Sequence, residues 1–109
     1  MTSFSRISSA EAAAIMAERE SLLIDIRDEQ SYQAGHIENA VHIDNSNIGQ
    51  FIADSHTDLP LIVYCYHGNS SQSASAYLSE QGFSEVYSID GGFEGWAAQY
   101  PIAQIKNEV

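Results

Sequence analysis

Four consecutive residues, Leu61-Ile62-Val63-Tyr64, are apolar without polar alternation, and two of them are β-branched. A strand that reads this way keeps no face for water, so it belongs in the middle of a parallel sheet covered by helices on both sides. The flanking segments agree. Ser8-Ser9-Ala10-Glu11 reads as a capping box, and Ala12, Ile15 and Met16 recur at helical spacing, which predicts a first helix to about Arg19. Leu22 to Ile26 reads as a buried strand. Asp28 caps a short helix through Tyr32 and Ala34, with Gly35 as its left-handed stop. A short strand at Val41-His42-Ile43 and a helical turn or two from Ile48 to Ala53 complete the first half.

Beyond the central strand, helical period runs from Ser70 or Ser71 through Ala74, Tyr77, Leu78 and Gln81, with Gly82 as the C′ glycine. Val86-Tyr87-Ser88-Ile89 is a further strand, Asp90-Gly91-Gly92 a turn, and Phe93, Trp96, Ala97 and Tyr100 mark a last amphipathic helix before Pro101. Strands and helices alternate throughout. The expectation is an α/β domain with a mainly parallel sheet of about five strands, flanked by helices and joined by right-handed crossovers. With 109 residues there is room for one domain, residues 1–109, with a core over about 7–101 and a loosely ordered tail at 102–109.

Apolar residues make up 44% and charged ones 17%, which supports a packed core and excludes wholesale disorder. The formal charge of −11 has the wrong sign for binding nucleic acid or an anionic membrane surface. No apolar stretch approaches membrane-spanning length, and Glu11, Glu18, Arg19 and Glu20 interrupt the region where a secretory leader would need continuous apolar residues. Cys65 is the single cysteine, so it has no internal disulfide partner. A free thiol fits a reducing compartment, and the expectation is cytoplasmic.

Cys65 follows the central strand, and Tyr66-His67-Gly68-Asn69-Ser70 separate it from the start of a helix. Ligands in open α/β sheets bind at the carboxyl ends of strands, which is where this thiol falls. A tight loop containing glycine can turn successive N–H groups inward as an anion nest, and the helix behind it adds its positive end. A cysteine of pKa ~8.5 is only ~3% ionised at pH 7, whereas one at ~6.5 is roughly three-quarters ionised, a difference of about 2.7 kcal/mol. A helix end contributes ~0.3–2 kcal/mol and each charge-assisted hydrogen bond about 1.5–3, so a few amides suffice without a cation. The competing reading is a buried core cysteine, the ordinary fate of this residue type. The polar, glycine-bearing loop favours chemistry.

The loop Cys65-Tyr66-His67-Gly68-Asn69-Ser70-Ser71 resembles the active-site loop of rhodanese-type sulfurtransferases, in particular the small single-domain thiosulfate sulfurtransferases. Two further segments fit the same family pattern: Asp25-Ile26-Arg27-Asp28 leading to Tyr32, Gly35-His36-Ile37 and Ala40, and Asp90-Gly91-Gly92-Phe93 with Trp96. The resemblance covers about Ile7 to Pro101. It implies that Cys65 attacks the outer sulfur of thiosulfate, expels sulfite and carries a persulfide that a thiol or cyanide then discharges. It implies binding of the anion by the amides of Tyr66, His67, Gly68, Asn69, Ser70 and Ser71, with further hydrogen bonds from the Ser70 and Ser71 hydroxyls. It also makes a dithiol protein such as thioredoxin a candidate acceptor, and no cofactor or metal is implied. Many two-domain relatives carry Arg or Lys in or beside this loop, but here the one candidate cation is His67, so thiosulfate binding is expected to be weak.

A tyrosine or dual-specificity phosphatase would need an arginine six residues after the nucleophile, where this chain has Ser71. A thioredoxin-like redox role would need a second cysteine. The remaining alternative is a non-catalytic rhodanese-like binding module, or a sulfur relay fed by a protein persulfide. His36, His42, His56 and His67 with Cys65 match no tight zinc spacing. His36 reads as a structural residue bonded to a loop, Arg27 as the partner of a nearby carboxylate, and Phe93 and Trp96 as core.

Overall fold

The computed structural model describes residues 4–104. Strands and helices alternate along the chain: β1 (Ser5–Ile7), α1 (Ser9–Glu18), β2 (Leu22–Asp25), α2 (Glu29–Ala34), β3 (Val41–His42), α3 (Ile48–Asp54), β4 (Leu61–Tyr64), α4 (Ser70–Glu80), β5 (Val86–Ile89) and α5 (Gly92–Ala97). The strands form one sheet in the order β1-β5-β4-β2-β3, with parallel pairing at every step. The α/β class, the parallel sheet and the central place of Leu61–Tyr64 are as expected.

β4 shows why its sequence carries no polar alternation. Leu61 and Val63 join one core with Ile24, Leu78, Phe83 and Val86, against which α3 and α4 rest Phe51, Ile52 and Ala74. Ile62 and Tyr64 join the other core with Ala12, Leu23, Ile37 and Trp96, under α1 and α5. Successive side chains point to opposite faces of a strand, and here both faces are oil.

Two local expectations are corrected, and one strand goes unforeseen. β1 escaped the sequence reading because it is a three-residue edge strand in which Ser5 and Arg6 are exposed and Ile7 alone is buried. Gly35 ends α2 in extended backbone, φ 179°, not as a left-handed stop. A Cβ there would lie 2.9 Å from Ile102 Cδ1, the movable tip of an exposed side chain. The segment after Pro101 is not loose as far as Gln104. The His36 N–H donates to Ala103 O at 2.9 Å and the Ala103 N–H returns to His36 O at 2.8 Å. The rest of the expected tail, 105–109, lies outside the described residues. Gly82, at φ +110°, does close α4 as a left-handed glycine.

Candidate active site

Cys65 is the first residue past β4, and the loop after it curls back over the sulfur. The Gly68 N–H donates to Cys65 Sγ at 3.1 Å and the Ser71 N–H at 3.3 Å, while Ser71 Oγ lies 3.4 Å from the same sulfur. Ser71 belongs to the first turn of α4, whose leading amides have no partner inside the helix and are therefore available to the sulfur.

The loop keeps this shape because its carbonyls are taken by the neighbouring turn. The Phe93 N–H donates to Cys65 O at 2.8 Å and the Glu94 N–H to Tyr66 O at 3.1 Å, so α5 pulls the carbonyls one way and leaves the loop amides facing the other. Two glycines make the approach possible. Gly68 sits at φ +97°, and a Cβ there would lie 2.9 Å from Gly91 N. A Cβ on Gly92 would lie 2.5 Å from Cys65 O and 2.6 Å from Tyr66 O. The Gln72 side-chain amide donates to Gly68 O at 2.9 Å and pins the loop from the α4 side.

Cys65 is 6% exposed. Burial alone pushes its thiol up, but the Ser71 hydroxyl and the amides of Ser71, Gly68 and His67 stabilise the thiolate more, and the net shift is downward. The position is therefore neither of the two pure alternatives: the sulfur is largely covered, and it is held by donors, not by hydrocarbon.

The predicted site residues divide accordingly. Gly68 and Ser71 are buried against the sulfur, and His67 contributes through its backbone. Tyr66, His67, Asn69 and Ser70 are exposed on the outer side of the loop. The His67 ring nitrogen lies 3.5 Å from Glu94 Oε1, so the one cation candidate of the loop faces a carboxylate.

Other residues singled out in the sequence stand around the loop. Arg27 pairs with a carboxylate as expected, but both partners are buried: Nη2 donates to Asp25 Oδ2 at 2.6 Å and to Gly35 O at 2.5 Å. The guanidinium carbon lies 4.0 Å from the Phe93 ring centroid. Phe93 is half-buried, and with Arg27, Gly35, Tyr66 and Ile102 it lines a recess of ≈ 250 Å³ beside the loop. Trp96 is core. His36 stacks on Tyr32, with centroids 4.0 Å apart, and its Nδ1 bonds Tyr32 O at 2.8 Å, so its role is structural as expected but its side-chain partner belongs to α2 and not to a loop. Among the described residues, no cluster of three or more His, Cys, Asp or Glu side chains is placed to hold a metal ion.

Residues 8–99 match the family described as Rhodanese-like domain. The chain is 56% identical over 106 residues to thiosulfate sulfurtransferase GlpE of Pseudomonas savastanoi pv. phaseolicola, covering 97% of this chain and 99% of that one. It is 55% identical over 101 residues to the protein of the same name from Pseudomonas fluorescens, covering 93% and 92%. Among solved structures, a rhodanese-related protein from Thermoplasma volcanium superposes with a TM-score of 0.78 at 25% identity, over 94% of this chain and all of that one. The rhodanese-like domain of an Anabaena protein gives 0.81 at 21% identity, over 92% and 79%.

Proposed function

The chain belongs to the rhodanese-like domain family, and from that premise we propose that it is a thiosulfate sulfurtransferase working through a persulfide on Cys65. The observation that carries this reading is the convergence of the Gly68 and Ser71 amides on one sulfur atom. The Cys65 thiolate attacks the outer sulfur of thiosulfate; a new S–S bond forms, the old one breaks, and sulfite leaves with the electron pair. The terminal sulfur of the persulfide is anionic, and the loop donors that favour the thiolate also suit it. A thiolate or cyanide then attacks that terminal sulfur and returns Cys65 to its resting state.

Thiosulfate is thus the donor, and a thiol or cyanide is the acceptor. A dithiol protein such as thioredoxin suits the acceptor's part, because its second thiol can release the transferred sulfur as sulfide. No described helix is long and apolar enough to cross a membrane. The single free cysteine favours a reducing compartment, and we assign the activity to the cytoplasm.

The test is mass spectrometry of the intact protein after brief exposure to thiosulfate. Cys65 is expected to gain the mass of one sulfur atom, and cyanide to remove it. Because the thiolate is the attacking form and its pKa is lowered, labelling should accelerate as pH rises and level off below the ordinary cysteine range. A thiol that stays unmodified across that range overturns the reading in favour of a binding module.

A further inference from the structure

Three serines, Ser71 and Ser75 on α4 and Ser88 on β5, are completely buried where the helix packs on the sheet. A buried hydroxyl is costly unless it is bonded, and an apolar residue in β5 would avoid that cost. The hydrogen-bond partner the structure gives Ser88 is Ser71: the two Oγ atoms are 2.8 Å apart. Ser71 Oγ in turn lies 3.4 Å from Cys65 Sγ. Strand, helix and nucleophile are thus joined by a line of two hydroxyls ending at the sulfur.

We propose that Ser88 is a positioning residue for the Cys65 thiolate, donating its proton to Ser71 Oγ so that the Ser71 proton turns to the sulfur. A hydroxyl has one proton, so Ser71 can give it to Ser88 or to Cys65. If Ser71 gives it to Ser88, the Ser88 proton loses the acceptor that the structure offers it. If Ser88 donates instead, both hydroxyls are satisfied and the sulfur receives a polarised donor, which a thiolate accepts far better than a thiol does. When the thiol ionises, its proton goes to solvent and the two O–H bonds line up toward the sulfur.

The charged groups on the surrounding elements are engaged elsewhere. Asp25 pairs with Arg27 beyond β2, Asp90 with Arg6 beyond β5, and Glu94 of α5 faces His67. Glu80 stands at the far end of α4. Burial is the leading influence on Cys65, followed by the Ser71 hydroxyl and then the loop amides. Hydroxyl orientation is therefore the lever that Ser88 controls.

The role rests on Cys65 being the nucleophile, but its test is independent of sulfur transfer. The Cys65 pKa is measured from ultraviolet thiolate absorbance and from the pH profile of iodoacetamide alkylation. Ser88→Ala is expected to raise it by about half a unit, leaving roughly threefold less thiolate below the midpoint. Ser88→Thr, which keeps the hydroxyl, should retain the lower value. The same Ser88→Ala change made together with Ser71→Ala should add nothing to the effect of Ser71→Ala alone. Ser75→Ala removes a hydroxyl from the same helix that has no hydrogen-bond partner among the described residues, and it should leave the pKa in place. An unmoved pKa in Ser88→Ala, an equal shift in Ser75→Ala, or a shift that persists without Ser71 overturns the proposal. A Cys65 that titrates as proposed but never takes sulfur from thiosulfate would instead count against the proposed activity.

Discussion

At Gly92, φ is +55° and the space a methyl group would need is filled by the carbonyl oxygens of Cys65 and Tyr66. Left-handed backbone costs an ordinary residue ~1–2 kcal/mol, and the overlap here is with main chain, which cannot swing aside as a side chain can. Gly92→Ala is expected to lose about 2–4 kcal/mol in urea denaturation and to slow alkylation of Cys65 in the protein that remains folded. A variant with unchanged stability and thiol reactivity would show that α5 does not set the shape of the loop. Asp90-Gly91-Gly92 is legible as a turn in the sequence, but what the turn presses against is not. Gly35 differs again: its local pattern reads as a left-handed helix stop, while the backbone there is extended. Ser88 is harder still, because a serine in a short strand carries no sign of which hydroxyl it meets.

Among the elements, α1 carries the clearest end signal in the chain. The Glu11 N–H donates to Ser8 Oγ at 3.0 Å and the Ser8 N–H to Glu11 Oε1 at 2.9 Å, so both halves of the capping box form. Ser8→Ala should cost about 1 kcal/mol and lower the thermal midpoint by about 4 °C, read by circular dichroism; an unchanged midpoint would mean that packing on α5 holds the helix without its cap. Signals of this kind are local, and so is the apolar run of β4, which is why both can be read from a short window of sequence. β1 is the opposite case: its pairing with Tyr87, Ser88 and Ile89 makes it a strand, and no window of neighbouring residues contains that information. The active loop lies between these extremes. Its residue types mark an anion nest, but the choice of Gly68 and Ser71 as the amides on sulfur depends on the pull of α5 from a distant part of the chain.

For the molecule as a whole, a formal charge of −11 surrounds a site meant for a dianion, and the loop's histidine already faces Glu94. Amide donors act in contact and hold the sulfur, but they do not draw thiosulfate from a distance. The Michaelis constant for thiosulfate should accordingly lie above the ~1 mM end of the usual enzyme range, and a sub-millimolar value in a steady-state cyanide assay would refute this view of the electrostatics. The sheet also imposes an order in time. Ser5 pairs with Tyr87 and Ile7 with Ile89, so the first of the described strands in chain order waits for the fifth. During synthesis it stays unpaired beside a lengthening nascent chain, and the sheet gains that edge only once β5 has been made. A polypeptide stalled or clipped before Val86 keeps an orphan strand and an open flank on β4, the kind of exposed edge by which unfinished chains adhere to one another.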